Sequence, residues 1–389
     1  MTLTQSLRDS LETTRVESHL NPPASYDLGD HPVPTGREET WRFTPLKRLR
    51  GILDGEPSDA SLTWETSLPE GITMPVISAD EAARSGELPP NDRPAALAAA
   101  LSGGCQVIDI PAEFSSDEPI LVRLRGDDAE ALVWGRLLVR VGDHAKATLV
   151  VEHTGSARYS ALSTVVVGDG ADLTMVSIQD WDDDAVHLGR DAIRVGRDAS
   201  VKHAALTFGG DLVRMHANVE YAGPGGSAEL LGLYFADAGQ HIEHRLFADH
   251  NAPRTRSNVN YKGALQGRGA HTVWVGNVLI RKVGEGIETF EENRNLVLTD
   301  GCQADSIPNL EIETGEIEGA GHASATGRFD DEQLFYLRSR GIDEHEARRL
   351  VVHGFFHDLI RKIGVAAIED RLVTIVEAEL AKNVSGKVF

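Results

Sequence analysis

The chain has 389 residues, 41% of them hydrophobic, and a formal net charge of −22. That length allows two or three domains and a sizeable core, while the acidity argues against nucleic acid and anionic membranes as partners, because their phosphates would be repelled. Two cysteines, Cys105 and Cys302, far apart and outside any Cys-x-x-Cys spacing, exclude a disulfide scaffold and a self-contained thiolate metal site, and they fit a reducing cytoplasm.

The opening residues lack a basic stretch followed by an apolar run, and no later segment approaches 18 apolar residues, so the expectation is a soluble, non-exported, cytoplasmic chain. Residues 1–20 carry a weak amphipathic helical pattern that ends in turn formers from Asn21. In the segment Gly36 to Leu46, Trp41 and Phe43 alternate with charged residues and are expected to anchor it to a core. Residues 54–92 are polar, rich in Pro, Gly and Ser and without sustained periodicity, which predicts loops. Pro94–Leu101 reads as a short helix closed by Gly103 and Gly104, and Cys105 begins the strands.

From there the pattern Gly-x-x-Ala, at Gly142, Gly168, Gly196, Gly225, Gly267 and Gly301, opens short alternating apolar segments. The intervals of 26, 28, 29, 42 and 34 residues predict a decorated solenoid. Glycine is expected to supply positive φ at each corner, with a small alanine turning inward behind it. Period-two alternation then places Ala145, Ala147 and Leu149, Ala171, Leu173 and Met175, Ala199 and Val201, and Ala228 and Leu230 on one inner face. Lys146, Asp172, Ser200 and Glu229 point outward.

The β region is expected to end at Gly327. Asp330 with Gln333, and Asp343 with Glu346, resemble capping boxes. Leu350, Val351, Gly354, Phe355 and Leu359, then Val365, Ile368, Leu372, Ile375 and Val376, fall at helical spacing. Residues 329–389 carry 11 acidic and 9 basic side chains against 49 and 29 in the rest, so this helical tail is nearly neutral. The division is therefore 1–104, helices and loops; 105–327, β core; and 328–389, helical.

No P-loop, Rossmann fingerprint, Gly-x-Ser-x-Gly elbow or His-Glu-x-x-His helix occurs, which removes the commonest nucleotide-hydrolysing, hydrolase and zinc-protease readings. His241 and His244, three apart, would lie on opposite faces of a strand, a solvated edge rather than a metal site. Asp182–Asp184 reads as a solvated turn rather than a cation loop. Cys105 and Cys302 have no basic neighbour in sequence and are expected to pack. His322 sits among small residues, on the face of Ser324 and Thr326 and opposite Ile317 and Ala323. From the residues alone, it reads as structural or merely exposed.

Taken together, the Gly36–Leu46 segment, the glycine-cornered β region, Ile307-Pro-Asn-Leu-Glu-Ile312, Gly321-His-Ala-Ser-Ala-Thr326 and Asp331-Glu-Gln-Leu-Phe-Tyr-Leu-Arg-Ser-Arg-Gly-Ile342 resemble the SufB/SufD family over nearly the whole chain. The resemblance implies a right-handed parallel β-helix core flanked by helical regions, acting without enzymatic activity in cytoplasmic iron–sulfur cluster assembly. It implies a complex with the paralogue SufB and the ABC-type ATPase SufC, a transient iron–sulfur cluster shared with SufB, and an association with reduced flavin whose site the sequence does not place. A homodimer in isolation stays open. The SufD branch is favoured by length, by the opening motif, and by Asn293 standing where SufB is expected to carry its cluster-building cysteine. The resemblance then carries the functional histidine onto His322, facing the SufB cysteine. SufC docking is carried onto the C-terminal helices, at Leu334, Phe335, Tyr336, Arg338, Arg340, Gly341, Gly354 and Phe355, with Phe356 adding apolar surface. The competing readings are a carbohydrate-active β-helix enzyme of the lyase type and a SufB-like scaffold.

Overall fold

The computed structural model describes residues 22–329 and 331–382. The helical pattern at 1–20 and the Asp330 cap lie outside them. After three short 3-10 turns at Leu28–Asp30, Leu46–Leu49 and Ile52–Asp54 come β1 (Thr63–Ser67), β2 (Val76–Ile77), α1 (Ala79–Arg84) and α2 (Arg93–Leu101). The strands continue as β3 (Cys105–Ile110), β4 (Ile120–Val141), β5 (Lys146–Val167), β6 (Asp172–Trp181), β7 (Val186–Val195), β8 (Ser200–Thr207), β9 (Leu212–Tyr221) and β10 (Ser227–Ala236). They finish with β11 (His241–His250), β12 (Arg256–Leu265), β13 (His271–Ile280), β14 (Glu288–Val297), β15 (Gln303–Ile312) and β16 (Gly319–Arg328), before α3 (Asp331–Ser339), α4 (Glu344–Ile363) and α5 (Ala366–Lys382).

From β6 onward each strand pairs in parallel with the strand two later, not with the next. Every coil therefore gives one strand to an even-numbered sheet and one to an odd-numbered sheet, making a parallel β-solenoid of about eight turns. The long strands β4 and β5 pass through both sheets: the first half of β5 pairs with β6 and its second half with β7. The expected inner face is buried throughout, from Ala147 and Leu149 to Ala228 and Leu230, in the largest core cluster.

The uneven spacing of the glycine corners has a simple cause. Gly142, Gly168, Gly196 and Gly225 turn the chain from the odd to the even sheet, whereas Gly267 and Gly301 turn it from even to odd. The jump from 29 to 42 residues is that change of edge. Positive φ is not what Gly142 and Gly196 supply. The left-handed residue in those corners is the third, His144 at φ 57° and Asp198 at φ 52°. A Cβ on Gly142 would stand 2.3 Å from the Ala112 nitrogen, and one on Gly196 2.7 Å from the Gly168 carbonyl, so these glycines let successive coils touch backbone to backbone.

Both outer faces are covered. On the odd sheet, Leu132, Trp134, Leu162, Val186 and Leu188 share a core with Trp41, Leu49, Ile52 and α2, so Trp41 is the anchor it was expected to be, while Phe43 stays half-buried. Residues 54–92 are more structured than their polarity predicts. β1 pairs antiparallel with the start of β4, and α1 is capped by Ser78, whose hydroxyl accepts from the Glu81 amide. On the even sheet, Val176, Leu206, Leu231, Leu233 and Phe235 pack against α3, α4 and α5. The Asp343 cap forms as expected, its carboxylate accepting from the Glu346 amide. The apolar stripe of α4 keeps the expected Leu359 but is otherwise centred one residue further on: Val352, Phe356 and Ile363 are buried, Val351 and Phe355 are half-buried beside them, and Leu350 is exposed. None of the described helices is long and apolar enough to cross a membrane.

Candidate functional site at the open end of the solenoid

The strand path ends at β15 on one sheet and β16 on the other, each with a single partner among the described strands. β15 is half-buried along most of its length and β16 is largely exposed, whereas the strands before them are mostly buried. A solenoid whose last coil is uncovered presents a row of unpaired backbone donors and acceptors.

Four inward columns of the even sheet run to this end in strict register. One passes from Leu149 through Met175, His203, Leu230 and Val259 to Glu291 and His322. Its neighbours end in Thr289 and Ala320, in Asn293 and Ser324, and in Asn295 and Thr326. In the first column apolar residues, interrupted by His203, give way to Glu291 and His322, whereas the column ending in Asn295 and Thr326 is polar from its start, at His153, Gln179 and Thr207. His322 shares the face of Ser324 and Thr326, as alternation predicts, and its side chain is 44% exposed. Its Nδ1 lies 3.9 Å from Glu291 Oε1.

Glu291 is the residue that sequence reasoning missed. It is 1% exposed, and neither carboxylate oxygen makes a hydrogen bond among the described residues. Burial pushes its carboxyl up to about 8; the Asn309 backbone opposes the shift without meeting it in hydrogen-bonding geometry. Trp274 Nε1 and Ser306 Oγ, neighbours on β13 and β15, are likewise buried without partners. In the pattern Thr289-Phe290-Glu291-Glu292 nothing separates an inward from an outward acid; only the register does.

Asn293 is fully buried. Its amide donates to the Tyr234 hydroxyl at 2.8 Å, that hydroxyl donates to Asn295 Oδ1 at 2.7 Å, and Asn295 donates back to Asn293 Oδ1 at 2.8 Å. Tyr234 reaches this network because it lies across Gly263, as Tyr261 lies across Gly232. Each glycine leaves the space its neighbour's ring occupies.

The other candidates fall elsewhere. His241 and His244 do face opposite ways, but they are not at a solvated edge: both are buried in the middle of the odd sheet. His244 sits in the lumen against Tyr234, sharing a hydrogen bond with Thr207 Oγ1, and burial holds it down to about 3. His241 is on the outside beside Glu243. Asp182–Asp184 form an exposed corner as expected. Cys105 is buried and its thiol pushed up to about 12; Cys302 is half-buried in a corner with its thiol raised, and donates to the Gly267 carbonyl at 3.2 Å.

On the tail the partner-binding candidates separate into two sets. Phe335 and Tyr336 are 75% and 57% exposed, Arg340 lies over the Tyr336 ring, and Arg338, Gly341 and Gly354 are exposed. Leu334 and Phe356 turn inward to the core shared with the even sheet, so Phe356 adds no free surface. Phe355 is half-buried under Lys262, whose ammonium donates to its carbonyl at 2.7 Å.

Among the described residues no three His, Cys, Asp or Glu side chains gather where a metal ion could sit. His322 with Glu291 supplies at most part of a coordination sphere, an exposed nitrogen donor beside a buried oxygen donor.

The chain is thus a parallel β-solenoid clad on both faces by its terminal segments and ending in accessible polar coils. The profile of the SUF system FeS cluster assembly, SufBD core domain, matches residues 123–355. An iron–sulfur cluster assembly SufBD family protein of Mycobacterium bovis is 51% identical over 92% of each chain, and one of Mycobacterium leprae is 49% identical over 92% of this chain and 93% of its own. The iron–sulfur cluster assembly protein SufD of Bacillus subtilis is 24% identical over 73% of this chain and 66% of its own length. The chain belongs to the SufBD family of iron–sulfur cluster assembly proteins.

Proposed function

We propose that this chain is the SufD-type, non-enzymatic subunit of an iron–sulfur cluster assembly scaffold. It pairs through the open end of its solenoid with a SufB-type paralogue and lends His322 as one ligand to the cluster built between them. The observation that carries this reading is the position of His322: an exposed imidazole on the terminal strand β16, beside a buried carboxylate, in a chain whose described residues hold no complete metal site. Imidazole suits iron, but sulfur donors are the softer partners that clusters favour, and neither Cys105 nor Cys302 stands beside His322 in the strand register. The thiolate must come from another chain.

Strand addition at β15 and β16 would satisfy their unpaired edges. A second copy of this chain could use the same edges, but would bring no thiolate at the Asn293 position. A SufC-type ATPase docks on the exposed patch around Phe335, Tyr336, Arg338, Arg340, Gly341 and Gly354, with Leu334 and Phe355 supporting it from beneath. An apolar aromatic centre rimmed by arginines is the composition that interfaces favour.

The test is anaerobic co-expression of the full chain with SufB-type and SufC-type proteins, followed by purification and iron and sulfide analysis. His322→Ala should leave the complex intact with reduced iron and sulfide, whereas Phe335→Asp with Tyr336→Asp should lose the ATPase and retain the paralogue. Unchanged iron in the first complex removes His322 as a ligand. Retention of the ATPase by the second removes the docking surface.

A further inference from the structure

We propose that Glu291 is the positioning residue for His322: a carboxyl oxygen accepts the proton on Nδ1 of the ring, so that Nε2 is the nitrogen offered at the open end of the solenoid. The inference rests on the ligand reading of His322 given above.

Register sets the two side chains next to each other on the inner face, Glu291 on β14 and His322 on β16, with no further coil beyond them among the described strands. Their surroundings are opposite. Glu291 is 1% exposed, and both of its oxygens are buried without a hydrogen-bond partner among the described residues. A buried carboxyl without a donor carries a desolvation cost that nothing offsets, so a donor brought to it is worth more than one brought to an exposed acid.

The neighbouring groups leave that place open. Asn293, the next inward residue of β14, is closed in its network with Tyr234 and Asn295. Trp274 Nε1 and Ser306 Oγ are themselves without partners, so neither reaches Glu291 in hydrogen-bonding geometry. The one ion pair that Glu291 makes among the described residues is with His322, whose Nδ1 lies 3.9 Å from Oε1. The gap exceeds a hydrogen bond of about 2.9 Å by roughly 1 Å, and the imidazole is the group free to close it. A Cβ on Gly276 would stand 2.3 Å from Glu291 Oε2, so the carboxyl is wedged against the β13 backbone on the far side of the lumen. The His322 side chain is 44% exposed, and its neighbours on the inner face are the small Ala320 and Ser324, which leave the ring room to turn.

The two nitrogens of an imidazole point away from each other. A histidine that holds a metal through one of them donates from the other to a carboxylate or carbonyl, which fixes both the tautomer and the orientation of the ring. With Nδ1 on the buried carboxyl, Nε2 is directed to the exposed side, where a partner chain brings its own ligands. The role does not depend on the charge of Glu291, because a protonated carboxyl keeps its carbonyl oxygen as an acceptor. It depends on an acceptor held still behind the ring.

The experiment reads the full chain alone and in its complex. In the free chain, carrying isotopically labelled histidine, long-range proton–nitrogen spectra report the ring of His322, assigned by the signals missing from His322→Ala. The wild-type ring nitrogens should be set apart from those of a solvent-exposed imidazole. Glu291→Gln, which keeps a carbonyl acceptor, should preserve that difference, and Glu291→Leu should abolish it. In the complex purified anaerobically with SufB-type and SufC-type proteins, Glu291→Leu should weaken iron retention about tenfold with the subunits unchanged, and Glu291→Gln should restore most of it. The double variant with His322→Ala should be no worse than His322→Ala alone, because both act through one ring; a role in packing would give losses that add and no rescue by glutamine. If Glu291→Leu does not fold, Glu291→Met must show the same loss. Solvent-like ring signals in wild type, or full iron in Glu291→Leu when His322→Ala has lost it, overturn the positioning role and leave the ligand reading standing. Full iron in His322→Ala removes the ligand reading, and this inference with it.

Discussion

Glu291 and His322 show how much a single column position decides. The two side chains are register partners on β14 and β16, yet one is buried without hydrogen bonds and the other stands 44% exposed. Because the Glu291 carboxyl is raised from 4.5 to about 8, the folded state holds a proton that the unfolded chain has released between those values. Its effect on stability is therefore absent below about pH 4.5 and becomes an increasing penalty as pH rises through about 8. Glu291→Gln should accordingly unfold at a higher temperature than wild type at about pH 9, with the difference shrinking toward zero at about pH 4.5. Thermal melts across that range check it, and a pH-independent difference would mean that the carboxylate is compensated.

At the scale of elements, two phenylalanines separate cladding from exposed surface. Phe356 on α4 is fully buried against the even sheet, and Phe356→Ala should cost about 3–5 kcal/mol in denaturant unfolding. Phe335 on α3, 75% exposed, should tolerate alanine within about 0.5 kcal/mol, so that any larger effect of the substitution belongs to the docking role proposed for it. In the lumen, a methyl on Gly263 would stand 1.9 Å from the Tyr234 ring. Gly263→Ala must displace that ring and with it the hydroxyl that joins Asn293 to Asn295, a loss of about 2–3 kcal/mol from overpacking and broken hydrogen bonds. A loss below about 1 kcal/mol would show that the rings slide freely.

Over the whole molecule, the solenoid lumen and its outer shell hold an unusual number of neutral histidines. His153 and His250 are held down to about 4 and His244 to about 3, and His187 and His216 lie well below the ordinary value, in each case chiefly through burial. Each group binds a proton on unfolding but not when folded. The stability they contribute is complete above their unfolded value of about 6.5 and is lost progressively as pH falls toward their folded values. Urea midpoints should fall steeply between about pH 6.5 and 4.5, and His244→Phe, which keeps an aromatic ring against Tyr234, should flatten part of that slope. A pH-independent midpoint in this window would mean that the histidines are hydrated in the folded chain.

Much of this architecture was legible in the amino-acid order, because local physics fixes it. Alternation placed Ala145 to Leu230 inward, the Asp343 cap opened α4, and the Gly-x-x-Ala corners marked the coil edges, since period, capping and turn composition are properties of short segments, although the reason for glycine at Gly142 and Gly196 is contact between coils rather than positive φ. The family resemblance, carried by motifs spread along the chain, pointed to His322. What the order of residues could not hold was which strand lies beside which. A histidine or a glutamate looks the same facing inward or outward, so His241 and His244 read as a solvated edge, Glu291 went unnoticed, and the stripe of α4 was placed one residue off. Those outcomes are decided by contacts between residues roughly one coil or most of the chain apart. They follow from the register of the coils and from terminal segments folding back over both sheets, burying groups that no local pattern marks as buried.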